Sequence, residues 1–266
     1  MKDLSKELVV KELISTLFLL KKNAFWLVMA ALIDALFFIA WGFFTSPIKE
    51  KIVEHSVLIA NQLSTIMAGR GTGILAHMFS PELRPMTGKL ILLILLLFGV
   101  MYIIYNAFQG TSWWMATKIA GKNYTYRRYM LGFAKINLVW LAGYTLYKLL
   151  DIIISLRHLI IEKISPGAPN IAGKILLALL ILLFIAAFLS YSLLKINTLF
   201  TTKLKVSIPL IIISSSIYLT AQFILNNIGR LNVDAALIIG LLLLFPVITL
   251  IRVYITRVLS HVHTRT

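Results

Sequence analysis

Six long apolar runs constrain the fold of this chain more than any other feature. Each has about 20 to 26 residues, and a helix of that length crosses the roughly 30 Å hydrocarbon layer of a bilayer at 1.5 Å per residue. The predicted spans are 24–44, 90–109, 133–154, 171–196, 206–227 and 233–253. The sequence therefore predicts an all-α fold, a polytopic transmembrane helix bundle with six spans.

The composition excludes a soluble fold. Hydrophobic residues make up 59% of the chain and charged residues 14%, and the mean hydropathy is +0.90. A soluble domain carries roughly a quarter charged residues, so this chain lacks the polar surface to cover a core of its size. Cysteine is absent from the sequence, which excludes disulfides, thiolate metal ligands and cysteine nucleophiles.

The net charge of +16 predicts the orientation of the spans. In a soluble protein such a charge favours nucleic acid, but in a membrane protein cytoplasmic segments retain Lys and Arg. Sixteen of the 26 bases fall before the first span, in the second and fourth loops, or at the C-terminal end from Arg252 onward. Nine fall on the other side, and Lys148 lies inside a span. We expect a multi-pass protein of the plasma membrane with both termini in the cytoplasm.

Three segments flank the predicted spans. Residues 1–23 form a predicted amphipathic helix on the cytoplasmic membrane surface, or a solvated helix that leads into the first span. Residues 45–89 form a long extracytoplasmic loop that opens with a break at Ser46 and Pro47 and contains a possible helix able to dip into the membrane. Residues 257–266 form a basic cytoplasmic tail.

Several polar side chains fall within the predicted spans, where an ionised group costs a few kcal/mol and normally faces protein or water. The candidate intramembrane cluster consists of Asp34, Tyr144, Lys148, Asp151 and Gln222. These residues could line a cavity that binds a substrate or relays protons. They could instead hold the helices together, with Asp34 paired to Lys148 or Tyr144. A third reading pairs Lys148 with Asp151 and leaves Asp34 protonated.

The second loop combines bases with aromatic rings. Its candidate lipid-headgroup contacts are Trp113, Trp114, Lys118, Lys122, Arg127 and Arg128. Aromatic rings settle at headgroup depth and bases attract anionic lipids, so we expect anionic membrane lipids as partners. A positive-inside loop with an aromatic belt explains the same residues without specific binding, and interleaved bases and aromatics also occur in segments that contact RNA or a ribosome.

The arrangement of spans carries one family resemblance. Two spans, a short basic helix with Gly110, Gly121, Arg127, Arg128 and Gly132, and four further spans follow one another. This order resembles that of uncharacterised six-helix integral membrane proteins of archaea and bacteria. The resemblance implies the fold and assigns no chemistry.

No motif in the sequence predicts catalysis, a metal or a cofactor. The glycines of 69–73 lack the GK[ST] ending of a phosphate-binding loop, and His261 and His263 lack a third ligand. We therefore expect a non-enzymatic membrane scaffold, complex subunit or lipid-contacting helper, with protein partners or a homo-oligomer among its assemblies. The alternatives are a small permease or channel with its polar site at the level of Asp34 and Lys148, and a lipid-modifying membrane enzyme.

Overall fold

The computed structural model describes residues 4–67, 80–164, 167, 169–202 and 204–263. Within these residues the regular structure is helical, as predicted, and no strand occurs. The helices are α1 (Leu4–Lys22), α2 (Ala24–Met67), α3 (Arg84–Ile104), a π-helix (Tyr105–Gly110), α4 (Thr111–Ile119), α5 (Tyr126–Ile164), α6 (Ile171–Leu193), α7 (Thr198–Thr201), α8 (Leu204–Leu231) and α9 (Val233–His263).

In the part of the chain that the structure describes, five helical stretches are long and apolar enough to cross a membrane. They are Ala24–Ile59, Arg84–Ile119, Ile171–Leu193, Lys205–Arg230 and Asp234–Val262. Each contains most or all of one predicted span. The remaining predicted span, 133–154, is helical within α5 but is not among the five. Lys135, Lys148 and Asp151 interrupt its apolar residues.

The predicted break at Pro47 is wrong. Helix α2 continues through this proline to Met67 without interruption. A proline inside a helix removes one backbone donor, and such a loss is tolerated in apolar helices when nearby groups compensate. Just before it, the Thr45 hydroxyl donates to the Trp41 carbonyl oxygen at 2.7 Å and bonds within the helix. Much of the predicted loop 45–89 is thus helix, while the glycines of 69–73 lie outside the described residues.

The helix of the second span does not end at Gln109 as predicted. Helix α3 passes through the π-helix into α4, so that the chain remains helical from Arg84 to Ile119. A π-helix inserts one extra residue per turn and rotates the side chains that follow it. The basic segment that sequence separated from this span is therefore partly its continuation.

The described chain divides into two compact units, Met1–Ala35 with Phe108–Thr266, and Leu36–Ala107. In the first unit, α1, α6, α8 and α9 share a core. Its fully or almost fully buried side chains include Val9, Leu189, Leu210, Tyr254 and Leu259. In the second unit, aromatic rings pack together: Phe37 lies 5.4 Å from Trp41 and 5.9 Å from Tyr105, measured between ring centroids.

The two ends of the first unit are joined. Helix α1 is present as predicted, and it packs against α8 and α9. Arg257 of α9 forms an ion pair with Glu12 of α1 at 2.8 Å, and His261 contacts the other carboxylate oxygen at 2.9 Å. The Tyr254 hydroxyl donates to the Val9 carbonyl oxygen. Residues 257–263 are thus part of a packed helix and not a free tail, while 264–266 lie outside the described residues.

Candidate functional site

A buried ion pair joins the first and last long helices of the chain. Asp34 of α2 and Arg252 of α9 meet at 2.6 Å between carboxylate oxygen and guanidinium nitrogen. Their side chains are 1% and 4% exposed. Charges removed from water in this way are retained only when they are paired and hydrogen-bonded. The pair is therefore the centre of the polar interior in this unit.

Two neutral side chains complete the network. Asp34 Oδ1 accepts a hydrogen bond from Gln109 Nε2 at 3.1 Å, and Oδ2 accepts one from Ser112 Oγ at 3.2 Å. Arg252 donates from Nη2 to Gln109 Oε1 at 2.6 Å and from Nη1 to the Ser112 hydroxyl. The carboxylate thus has protein partners on both oxygens, and three helical segments are tied together at one point.

An aromatic ring contacts the cation. The guanidinium carbon of Arg252 lies 5.6 Å from the ring centre of Trp113, within the range of a cation–π interaction. Trp113 itself is fully buried and packs edge-on against Phe188. Arg252 Nε is buried without a hydrogen-bond partner among the described residues. The Trp113 ring therefore adds an electrostatic contact to a cation whose hydrogen bonds are incomplete.

Local helix geometry brings Gln109 and Ser112 to this point. Gln109 is in the π-helix and Ser112 is in the first turn of α4, three residues later, so both side chains share one face. Gly110 between them allows close packing, because a Cβ there would lie 3.0 Å from side-chain atoms of Met130 and Phe133. A side chain at position 110 would require the Met130 and Phe133 side chains to shift by a few tenths of an ångström.

The structure distributes the five predicted cluster residues over three separate groups. Asp34 belongs to the network with Arg252, so the expected pairing of Asp34 with Lys148 or Tyr144 is wrong.

Lys148 instead donates to Asp151 at 3.2 Å, where both side chains are substantially exposed. Tyr144 belongs to the same group, because its ring stacks on Tyr147 and the Lys148 ammonium lies 5.4 Å from the Tyr147 ring centre. Gln222 donates to the Tyr218 hydroxyl at 3.0 Å on α8. Substrate binding or proton relay by these residues stays a prediction.

The predicted headgroup contacts also separate. Trp113 lies in the protein interior, which corrects its expected place at the lipid headgroups. Lys118 sits over the rings of Trp26 and Trp114, at 4.2 and 5.1 Å from their centres. Arg127 and Arg128 are exposed.

Lys122 lies in the turn between α4 and α5 and is half-buried. Partial burial, and secondarily the positive charge of Lys195, lower the pKa of Lys122 below its usual value. Its ammonium also lies 6.0 Å from the ring centre of Tyr124. Because the charges of Lys122 and Lys195 repel each other, an anion bound close to both would be stabilised.

Sequence reasoning missed three of the four network residues. The position of Arg252 at the end of a predicted span places it among the cytoplasmic bases, and Gln109 is the last residue of another predicted span. Ser112 carried no signal. The available indication was that Asp34, an acid inside an apolar run, requires a partner, and Arg252 is a base at the edge of another such run.

Comparison with known proteins adds no assignment: no family model, curated protein or solved structure matches the chain. Among the described residues, no group of three or more His, Cys, Asp or Glu side chains is arranged to hold a metal ion.

Proposed function

We propose that this chain is a non-enzymatic integral membrane protein, a scaffold or complex subunit whose cytoplasmic face contacts anionic lipid. The observation that carries the proposal is the closed network around Asp34 and Arg252. Its charges are buried and bonded to each other, so they serve cohesion between helices. A transport site needs polar groups that are open to a solute or to water.

The same network argues against the permease alternative. A proton relay through Asp34 requires a carboxylate oxygen that can exchange its proton with a neighbour, yet both oxygens accept bonds from Gln109, Ser112 or Arg252. Lys148 and Asp151, the ion pair within the predicted third span, are exposed on α5 and belong to a different group.

Lipid contact is supported by the bases around α4. Lys118 is held by two indole rings, and Lys122 and Lys195 lie near enough to repel each other. A headgroup phosphate would relieve that repulsion, and each base near an anionic surface contributes about 1 kcal/mol. We expect a higher melting temperature in nanodiscs of phosphatidylglycerol than in nanodiscs of phosphatidylcholine. The difference between the two lipids should be smaller in Lys122→Gln. Lys174→Gln, an exposed base at the start of α6, is the matched control.

Six spans with both termini in the cytoplasm complete the proposal, with α5 as the third span. The uneven distribution of bases supports this orientation. Because the chain has no cysteine, Ser56→Cys and Asn123→Cys give clean labelling sites, and both positions are exposed. Labelling with a membrane-impermeant maleimide should find them on opposite faces. Labelling of both from one face would overturn the orientation.

Reconstitution tests the scaffold role against the permease. Purified protein in sealed liposomes should leave the permeability to protons and to small ions at the level of protein-free liposomes. A flux that the wild-type protein supports and that Asp34→Asn abolishes, while the variant remains folded, would replace the scaffold with a transporter.

A further inference from the structure

Helix α8 carries a regular stripe along its exposed side. The stripe, called the α8 seam below, consists of Ile208, Ile212, Ser215, Leu219, Gln222, Asn226 and Gly229. Its spacings alternate between four and three residues without interruption, which is the repeat of a left-handed helix pair. The seam extends over about 32 Å at 1.5 Å per residue, the thickness of the hydrocarbon layer.

The protein itself leaves this seam uncovered. Ile208, Ile212 and Leu219 are 52%, 58% and 63% exposed. Ser215 and Asn226 are exposed, and Gln222 and Gly229 are half-buried. A shallow groove of 680 Å³ lies beside Asn226 and Gly229 at one end of the seam. Most of the seam is therefore available to another helix, while its edge at Gly229 borders the groove that α8 forms with α9.

Two carboxamides make lipid an unsuitable cover for the seam. Asn226 has no hydrogen bond to another described residue, and Gln222 donates only to the Tyr218 hydroxyl of its own helix. Unsatisfied amides in hydrocarbon are costly, and they commonly drive helices together. Helix α6 provides the contrast, because its exposed residues from Ile175 to Phe184 are all apolar.

We propose that the seam binds a second copy of this chain, with α8 packed in parallel against α8. This inference rests on the proposed function, since it requires α8 to span the membrane. Two copies with the same orientation are related by a twofold axis along the membrane normal, so each seam residue meets its own copy at the same depth.

The chemistry of the seam fits this self-pairing. A carboxamide both donates and accepts, so Asn226 can bond to Asn226 of the second copy, and Gln222 to its counterpart. A single buried Asn at a seam position also fixes register and a two-stranded state.

Disulfide cross-linking tests the pairing directly in a chain without cysteine. Leu219→Cys and Asn226→Cys should each give an oxidised dimer in liposomes, and the yield should persist when the protein is diluted tenfold in lipid. Ile224→Cys on the other side of α8 and Leu179→Cys on α6 are exposed controls and should give little. Failure of both seam cysteines, or equal yields from the controls, would overturn the α8 pairing.

A matched pair of amides measures the contribution of the seam. In bilayer FRET between labelled copies, Asn226→Leu should weaken dimerisation by roughly 3- to 20-fold. Asn227→Leu should have little effect, because Asn227 is off the seam and donates to the Phe223 carbonyl of its own helix. Equal effects of the two variants would contradict the proposal.

These outcomes separate the dimer from the proposed function. If the maleimide labelling places Ser56 and Asn123 on opposite faces while the seam cysteines fail to cross-link, only the dimer is lost. If purified protein gives no dimer but native membranes give a cross-link to a different protein, a second copy is not the occupant.

Discussion

The two described ion pairs between Asp and a base in this chain are opposites. Asp34 and Arg252 are separated by 218 residues in sequence and are almost completely buried. Lys148 and Asp151 are three residues apart on one helix, and their side chains are 49% and 36% exposed. The first pair joins distant segments in a low-dielectric interior, while the second holds one side chain against its neighbour.

Burial decides how much each pair matters to stability. Removing one member of a buried pair leaves the other charge without compensation and costs about 3–5 kcal/mol. An exposed pair is worth roughly 0–1 kcal/mol, because solvent screens it and its side chains lose entropy. Four substitutions test this ranking, each by the free energy of unfolding in bilayers or mild detergent.

Arg252→Met should have the largest effect, a loss of about 3–5 kcal/mol, because it leaves the buried Asp34 carboxyl without its partner. Asp34→Leu combined with Arg252→Met should recover much of that loss, since no charge is then left inside. Arg128→Met on the exposed surface is the control. If the double variant has a lower free energy of unfolding than Arg252→Met alone, the Asp34 carboxyl stabilises the fold through bonds other than its pairing with Arg252.

Glu12→Gln should follow, with a loss of about 1.5–3 kcal/mol. It weakens charge-assisted bonds to Arg257 and His261 at the contact between α1 and α9. Glu7→Gln, an exposed acid on the same helix, should change little. Equal losses in the two variants would show that the effect comes from the charge of α1 and not from this contact.

Ser112→Ala should cost about 1 kcal/mol. It removes one donor to Asp34 and one acceptor for Arg252, while the ion pair itself remains. Ser56→Ala serves as the reference, because its exposed hydroxyl bonds within its own helix. A loss as large as that of Arg252→Met would mean that the network acts as a single unit.

Lys148→Met should have the smallest effect, below about 1 kcal/mol. Its partner Asp151 remains accessible to water or to a headgroup after the change. A loss above 3 kcal/mol would mean that this pair is covered in the membrane, and the contrast with Asp34 and Arg252 would disappear.

Sequence reasoning predicted what depends on local pattern. Apolar runs of about 20 residues located five long helices, and spacing of three residues identified Lys148 and Asp151 as possible partners. It failed where the outcome depended on distant contacts. The position of Pro47 gave no information on whether α2 would continue through it, because that depends on compensation by neighbouring groups.

The network shows the same limit. Asp34 required a partner, but the choice of Arg252 over Lys148 was set by helix packing, to which sequence separation gives no guide. The π-helix at 105–110 is likewise not predicted from the sequence. It is this turn that precedes Ser112 and sets the face on which Gln109 lies.

The separation of 218 residues between Asp34 and Arg252 also has a consequence for biosynthesis. During translation Asp34 of α2 is synthesised long before Arg252 of α9. Until Arg252 has been synthesised, the acid lacks the base that pairs with it in the folded protein. The hydrogen bonds that Gln109 and Ser112 donate to the carboxylate come from a segment between the two, so they can form before the ion pair does. The polar interior of this unit is therefore completed only when α9 packs into place.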